Sequence, residues 1–136
     1  MILLTLDLLD RLRGNSAARL AALHDRRVEP DPAPVVKLFN PIGPGTWLAT
    51  ELADDGDTLF GLADLGFGFP ELGSFSLAEI AGLRLPYGVG VKRDRAFASV
   101  SPLSLWAEAA RHTGSIRIAE VLIARAERAH GTPPGR

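Results

Sequence analysis

The feature that most constrains this chain is a series of turn signals dividing residues 35–75 into short apolar segments. Asp54-Asp55-Gly56-Asp57 separates two of these segments, and Asp and Gly readily adopt the backbone angles of a tight hairpin loop. Short apolar segments between such turns are typical of strands joined as hairpins. The predicted strands are Val35–Phe39, Thr46–Leu52, Thr58–Leu65 and Glu71–Phe75.

Helical patterns flank these strands on both sides. Residues 3–27 carry leucines at helical spacing, and Gly14-Asn15-Ser16 interrupts them with a helix-ending glycine and two N-capping residues. We therefore expect an N-terminal helical hairpin, followed by an extended linker because prolines alternate through residues 30–34.

The C-terminal half of the chain combines further helices with two extended segments. Ser76 is placed to cap a helix over residues 77–83, and Ser101-Pro102 is a typical helix start. Other predicted elements are extended segments over 86–92 and 95–99, a helix ending near Gly114, and a helix over 116–129. The predicted fold is α+β, with a central, mainly antiparallel sheet of about four to six strands and C-terminal helices. Residues 1–118 are expected to form one domain, and residues 119–136 a helical extension with a frayed tail.

The register of the central hairpin predicts which side chains share a face. If Leu52 lies opposite Thr58, Glu51 shares one face with Trp47, whereas Asp64 lies on the other. Both faces carry apolar residues, so the hairpin is expected to be covered on both sides.

Composition excludes several classes of protein. Hydrophobic residues make up 46% of the chain and the net charge is −1, which argues against whole-chain disorder and against bulk electrostatic capture by nucleic acid. The chain has no cysteine, which excludes thiolate chemistry and disulfides. Asp7 and Asp10 interrupt the apolar opening, and the basic residues follow it rather than precede it, so neither a membrane span nor a secretory signal is expected. We expect a cytoplasmic protein.

Several motifs in the middle of the chain resemble a known family. They are Lys37-Leu38-Phe39-Asn40-Pro41, Gly45-Thr46-Trp47-Leu48-Ala49-Thr50-Glu51-Leu52, Phe60-Gly61-Leu62-Ala63-Asp64-Leu65-Gly66 and Pro70-Glu71-Leu72-Gly73. With these motifs the chain resembles a bacterial family of unknown function that is carried on plasmids, integrative and conjugative elements and related mobile DNA. The resemblance covers about residues 1–118, on the scale of one domain. It implies a role in mobile-element biology and supplies no catalytic residues.

Three strand carboxylates are the best candidates for catalysis. Glu51, Asp64 and Glu71 have the oxygen ligands that Mg²⁺ or Mn²⁺ prefers, so a metal-dependent nuclease or phosphoesterase is the alternative hypothesis. Carboxylates also commonly stabilise turns and strand ends. We favour this structural role and expect neither an enzyme nor a bound cofactor.

Aromatic and apolar residues indicate surfaces for a protein partner. Phe67 and Phe69 flank a glycine in a turn, where they are either exposed to a partner or packed under the neighbouring helix. Trp47 stands beside small residues that leave room for a groove. The last helix has an apolar stripe that includes Ile116 and Leu122, which packs on its own chain or forms a homodimer.

A small basic group suggests a weaker, third hypothesis. Arg84, Lys92, Arg93 and Arg95 could contact the phosphates of DNA, although charges also protect exposed sheet edges. The leading hypothesis is a non-enzymatic interaction or regulatory protein of a mobile element that binds another protein; nucleic acid is a less favoured partner and a membrane is not expected.

Overall fold

In the computed structural model, which describes residues 3–131, the segments between the predicted turns form one antiparallel sheet. Its strands are β1 (Val36–Phe39), β2 (Thr46–Leu52), β3 (Thr58–Asp64), β4 (Glu71–Ser76) and β5 (Lys92–Arg93), in the spatial order β4-β3-β2-β1-β5. The helices are α1 (Leu6–His24), α2 (Leu77–Ala81), α3 (Leu103–Thr113) and α4 (Ile116–Gly131). The predicted α+β class, sheet type and C-terminal helices are confirmed.

A single helix, α1, stands in place of the predicted N-terminal helical hairpin. Thr5 caps it by accepting a hydrogen bond from the Leu8 N–H, and the helix continues through residues 14–16 without a break. The Asn15 side chain donates across to the Thr50 carbonyl at 2.9 Å instead of capping a second helix. A tertiary contact therefore overrides the local capping preference.

Both faces of the sheet are covered, as the hairpin pattern predicts. We call the side packed by α1 the α1 face; its core includes Leu12, Leu38 and Trp47. The other side is the α3/α4 face, where Leu48 packs with Trp106 and other residues of the two C-terminal helices.

A bulge in β2 changes the predicted hairpin register. Thr46 to Ala49 pair with β3 as predicted, but the register shifts between Ala49 and Glu51, so Leu52 lies opposite Leu59 instead of Thr58. Because directly opposed residues share a face, Glu51 leaves the Trp47 face and joins Phe60 on the α3/α4 face. The prediction that Glu51 and Asp64 lie on opposite faces is therefore wrong.

The segment between β4 and α3 is less regular than predicted. Residues 86–88 form a single 3₁₀ turn, only Lys92–Arg93 pairs with β1, and residues 95–99 form no strand. Gly114 ends α3 with φ of 77°, as its sequence position predicts. The predicted frayed tail over 132–136 lies outside the described residues. Within residues 3–131, no helix is long and apolar enough to span a membrane.

Candidate functional site

The loop of residues 65–69, here called the aromatic loop, presents two phenylalanines to solvent. Gly66 and Gly68 both have positive φ (92° and 84°), a conformation that costs glycine little. The side chains of Phe67 and Phe69 are each 79% exposed, and Leu65 before them is 53% exposed. Large aromatic side chains at this exposure are candidates for contact with a partner.

The base of the aromatic loop is fixed by Asp64. One carboxylate oxygen accepts the Gly66 N–H and the other accepts the Ile116 N–H at the start of α4, both at 2.9 Å. Gly66 also packs so closely on Pro44 that an added Cβ would lie 2.3 Å from the proline Cβ. The loop is thus tied to a neighbouring turn and to α4, while its two rings stay exposed.

Two pockets lie on opposite sides of the first residues of β4, one mainly apolar and the other mainly polar. Each has a volume of about 310 Å³. The loop pocket, on the α1 face, is lined by Ala63, Leu65, Phe67, Phe69 and Glu71. The helix pocket, on the α3/α4 face, is lined by Leu62, Pro70, Glu71, Leu72, Ala107 and Arg111. Leu62 and Leu72 are paired across β3 and β4, as are Ala63 and Glu71, which fixes the two pockets on alternate faces.

The three carboxylates singled out from the sequence lie in three separate places. Glu51 lies opposite Phe60, four residues along β3 from Asp64, so about 13 Å of strand separates the two positions at the usual rise per residue. Glu71 is exposed and faces the other side of the sheet from Asp64. No group of three or more His, Cys, Asp or Glu residues is placed to hold a metal ion within residues 3–131.

Comparison with known proteins gives a family for this chain. The model of the family described as "Protein of unknown function (DUF2958)" matches residues 3–117. The chain belongs to DUF2958. Neither a curated protein nor a solved structure matches this chain.

In this DUF2958 member, Glu51 forms an ion pair at the edge of a cleft. Its two carboxylate oxygens accept the Nε–H of Arg19 at 2.9 and 3.1 Å. The cleft, of about 530 Å³, lies between α1, the linker over residues 29–32 and the β2–β3 hairpin. Pairing between β1 and β2 reaches only as far as Ala49, so α1 and the linker border the remainder of β2. No sequence pattern indicated Arg19, because the bulge that redirects Glu51 has no local sequence signature.

Of the other predicted partner-binding residues, two are buried and one is exposed. Trp47 lies in the α1-face core and Ile116 is fully buried between the sheet and the C-terminal helices. Leu122 is half-exposed on α4, next to the similarly exposed Ile118 and Val121. Only this exposed stripe and the aromatic loop are free to contact another protein among these candidates.

The four basic residues do not form one stripe. Lys92 and Arg93 are neighbours in β5 and so point to opposite faces of the sheet edge. Arg84 and Arg95 are exposed in the irregular segments before and after that strand.

A carboxylate of α4 that binds the segment before α3 was not expected from the sequence. One oxygen of Glu127 accepts four hydrogen bonds, from the hydroxyls of Ser99 and Ser101 and from the N–H groups of Val100 and Ser101. Partial burial acts to raise the pKa of Glu127, but these hydrogen bonds together bring the pKa below its ordinary value. They fasten the C-terminal part of α4 to the segment that leads into α3.

Proposed function

We propose that this protein is a non-enzymatic interaction protein that binds another protein through its aromatic loop. The observation that carries the proposal is the 79% exposure of both Phe67 and Phe69 on a loop whose base is fixed by Asp64. Aromatic side chains that are rigidly held before binding lose little conformational entropy on binding, which is why they often dominate interface energies.

The cellular setting is part of the proposal. The motif resemblance supports a cytoplasmic accessory or regulatory protein of a bacterial mobile genetic element. The carboxylate alternative requires ligands in one coordination sphere, whereas Glu51 lies about 13 Å along the strands from Asp64 and Glu71 faces the opposite side of the sheet. The DNA-binding alternative likewise lacks a continuous basic surface among Arg84, Lys92, Arg93 and Arg95.

A tagged pull-down from a bacterium that encodes the protein tests the proposal. We expect a partner captured in near-stoichiometric amount at physiological salt, and its loss in the double variant Phe67→Ser/Phe69→Ser. The matched control is Val28→Ser/Val100→Ser, which removes two comparably exposed apolar side chains elsewhere and should leave capture unchanged. Capture that survives the loop variant would contradict the proposal.

The stripe on α4 supports a second contact surface. Ile118, Val121 and Leu122 are each about half-exposed and lie at helical spacing on one side of α4. A homodimer through this stripe is the form we propose for self-association. Light scattering on Ile118→Glu/Leu122→Glu should then report monomer where the parent chain reports dimer.

A further inference from the structure

We infer that the outer edge of β4 binds an extended segment of the partner protein as an added sixth strand. The inference rests on the proposed function, because this edge directly follows the aromatic loop in the chain. It deepens that proposal by naming the conformation and the chemistry of the bound segment.

The backbone of β4 is open on one side. All six residues of β4 pair with β3 on the inner side, and no hydrogen bond within residues 3–131 pairs the outer side of residues 71–75 with another backbone segment. Alternate residues of such an edge direct their N–H and C=O groups outward. The sequence Glu-Leu-Gly-Ser-Phe-Ser contains none of the lysines or prolines that commonly protect an edge, and no bulge interrupts its pairing. At the opposite edge of the sheet, β5 is only two residues long.

The loop pocket and the helix pocket are placed as an added strand requires. Successive side chains of a strand point to opposite faces, and the two pockets lie on opposite faces beside Glu71 and Leu72. Hydrogen bonds to the edge would provide affinity in any sequence, whereas the two pockets would select side chains. The loop pocket has room for one large apolar side chain of the bound segment, whereas the helix pocket, which Arg111 lines, suits a polar or acidic side chain.

Glu71 adds a charge preference to this site. Glu71 lines both pockets and is exposed, and its side chain, which points to the loop-pocket face, makes no hydrogen bond or ion pair within residues 3–131. A lysine or arginine of the bound segment beside it would form an ion pair, and an acidic residue there would be repelled. The expected ligand is therefore an extended peptide that carries a large apolar side chain and a basic residue on the loop-pocket face, and a polar or acidic side chain beside Arg111 on the other face.

A second copy of this chain fits the edge less well than a foreign peptide. Pairing of two β4 strands about a two-fold axis centred on Gly73 would set Leu72 against Ser74 of a second copy and Glu71 against its Phe75. Phe75 already packs against the core of its own chain, so it is not free to fill a pocket. Centring the axis on Ser74 sets Leu72 against Ser76 and Glu71 against Leu77, and Leu77 also packs against the core of its own chain, so the loop pocket again receives no large side chain.

Selection of peptides on the full chain tests the inference. A phage-displayed library of random dodecapeptides is panned against the immobilised protein, and the selected peptides are synthesised for titration. We expect them to share a large apolar residue with a lysine or arginine on the same face of the strand, and a polar or acidic residue on the opposite face, at a position number that differs by an odd number. On binding, amide hydrogen exchange at alternate residues of β4 should slow by about tenfold or more, because those N–H groups acquire acceptors.

N-methylation of the peptide backbone makes the test specific for strand pairing. Two peptides are compared, one methylated at the odd-numbered nitrogens and one at the even-numbered nitrogens. Only one of these sets of N–H groups donates to the edge of β4, so one peptide should bind about tenfold more weakly and the other almost as well as the unmethylated peptide. Equal effects in both phases, unchanged β4 exchange, or a panning that yields no binding peptide would each overturn the added strand.

The two proposals can fail separately in these experiments. If the selected peptides bind without protecting β4 but lose binding in Phe67→Ser/Phe69→Ser, the aromatic loop is a binding site and the added strand is wrong. If the pull-down partner is unaffected by the loop variant while β4 is protected by peptide, the edge binds and the loop proposal is wrong. Val28→Ser/Val100→Ser is again the control, with unchanged peptide affinity expected.

Discussion

At the scale of single residues, Gly61 is the position where the sheet tolerates no side chain. A Cβ there would lie 1.8 Å from the Leu48 carbonyl oxygen, which belongs to the backbone of β2 and cannot rotate away. Gly73 pairs with Gly61 on the adjacent strand and has nothing within 4 Å of its own added Cβ. A substitution by alanine is therefore expected to destabilise the fold at Gly61 and to be tolerated at Gly73.

We predict that Gly61→Ala lowers the free energy of unfolding by about 3 kcal/mol, because an overpacked site forces backbone movement. Gly73→Ala should change it by less than about 0.5 kcal/mol, as an open surface position does. Urea unfolding followed by circular dichroism measures both. Similar losses in the two variants would show that β2 does not approach Gly61 this closely.

Asp64 connects β3, the aromatic loop and α4 through hydrogen bonds that need a carboxylate. In Asp64→Asn one acceptor oxygen becomes a donor, so either the Gly66 or the Ile116 N–H loses its partner. The expected loss is about 1–2 kcal/mol of unfolding free energy, since a charge near a helix N-terminus also disappears.

Metal ions distinguish this structural role of Asp64 from catalysis. We expect the thermal midpoint of the parent chain to be the same in magnesium, in manganese and in chelator, with Asp64→Asn lowered equally in all three. A stabilisation by either metal that Asp64→Asn abolishes would instead restore the phosphoesterase hypothesis.

At the scale of elements, Glu127 fastens α4 to residues 99–101 in a pH-dependent manner. Hydrogen bonds from Ser99 and Ser101 hold its folded-state pKa below the ordinary 4.5 despite partial burial. A carboxyl whose pKa is depressed on folding stabilises the fold fully above its unfolded-state pKa, and this contribution disappears as the pH falls through the folded-state pKa.

Glu127→Gln should therefore cost about 1 kcal/mol at pH 7 and much less at an acidic pH below the folded-state pKa, where the parent carboxyl is protonated as well. Paired urea titrations at the two pH values give the difference. Glu108→Gln, an exposed change on α3, is the control and should have little effect at either pH. An equal cost for Glu127→Gln at both pH values would show that its charge is not involved.

The elements also show how far sequence reasoning reaches in this chain. Turn chemistry located β1 to β4 nearly to the residue, because Asp55, Gly56 and the neighbouring turn residues act locally. The predicted N-terminal hairpin is wrong, and one continuous helix takes its place. Asn15 bonds to Thr50, thirty-five positions away, and a local sequence pattern does not report so distant a contact. The bulge beside Thr50 places Glu51 on the other face of the sheet, where it pairs with Arg19. Trp47 lies in the core, so the predicted groove beside it is wrong.

In the candidate site too, features set by neighbouring residues were predictable, and features set by the packing of distant elements were not. The turn that carries Phe67 and Phe69 was predictable from Gly66 and Gly68, but the exposure of the two rings was not, because the sequence equally allows them to pack under the neighbouring helix. The two pockets were not, because they need α3 on one side of β4 and the loop on the other. That arrangement depends on how the whole chain packs.

At the scale of the whole molecule, the question is whether α4 belongs to the domain or is appended to it. The family match ends at residue 117, near the start of α4, yet Ile116, Ala119 and Ile123 are buried in one cluster with Leu48 of the sheet. Lys37 on β1 also forms an ion pair with Glu120 on α4 at 2.7 Å. These contacts indicate that α4 stabilises the α3/α4 face of the sheet.

Two adjacent residues on α4, buried Ile123 and half-exposed Leu122, distinguish a helix that is integral to the domain from one that is appended to it. If α4 is integral, Ile123→Ala leaves a cavity beneath the helix and should cost about 2–4 kcal/mol in a single cooperative transition, whereas Leu122→Ala, half-exposed, should cost under about 0.5 kcal/mol. Urea unfolding read by the fluorescence of the two tryptophans, Trp47 and Trp106, and by circular dichroism should then give coincident midpoints for each variant. A separate extension over residues 119–136 would instead let Ile123→Ala melt α4 early while the sheet keeps the parent midpoint. The coincident result would make α4 a structural part of the surface that holds Asp64 and the aromatic loop in place.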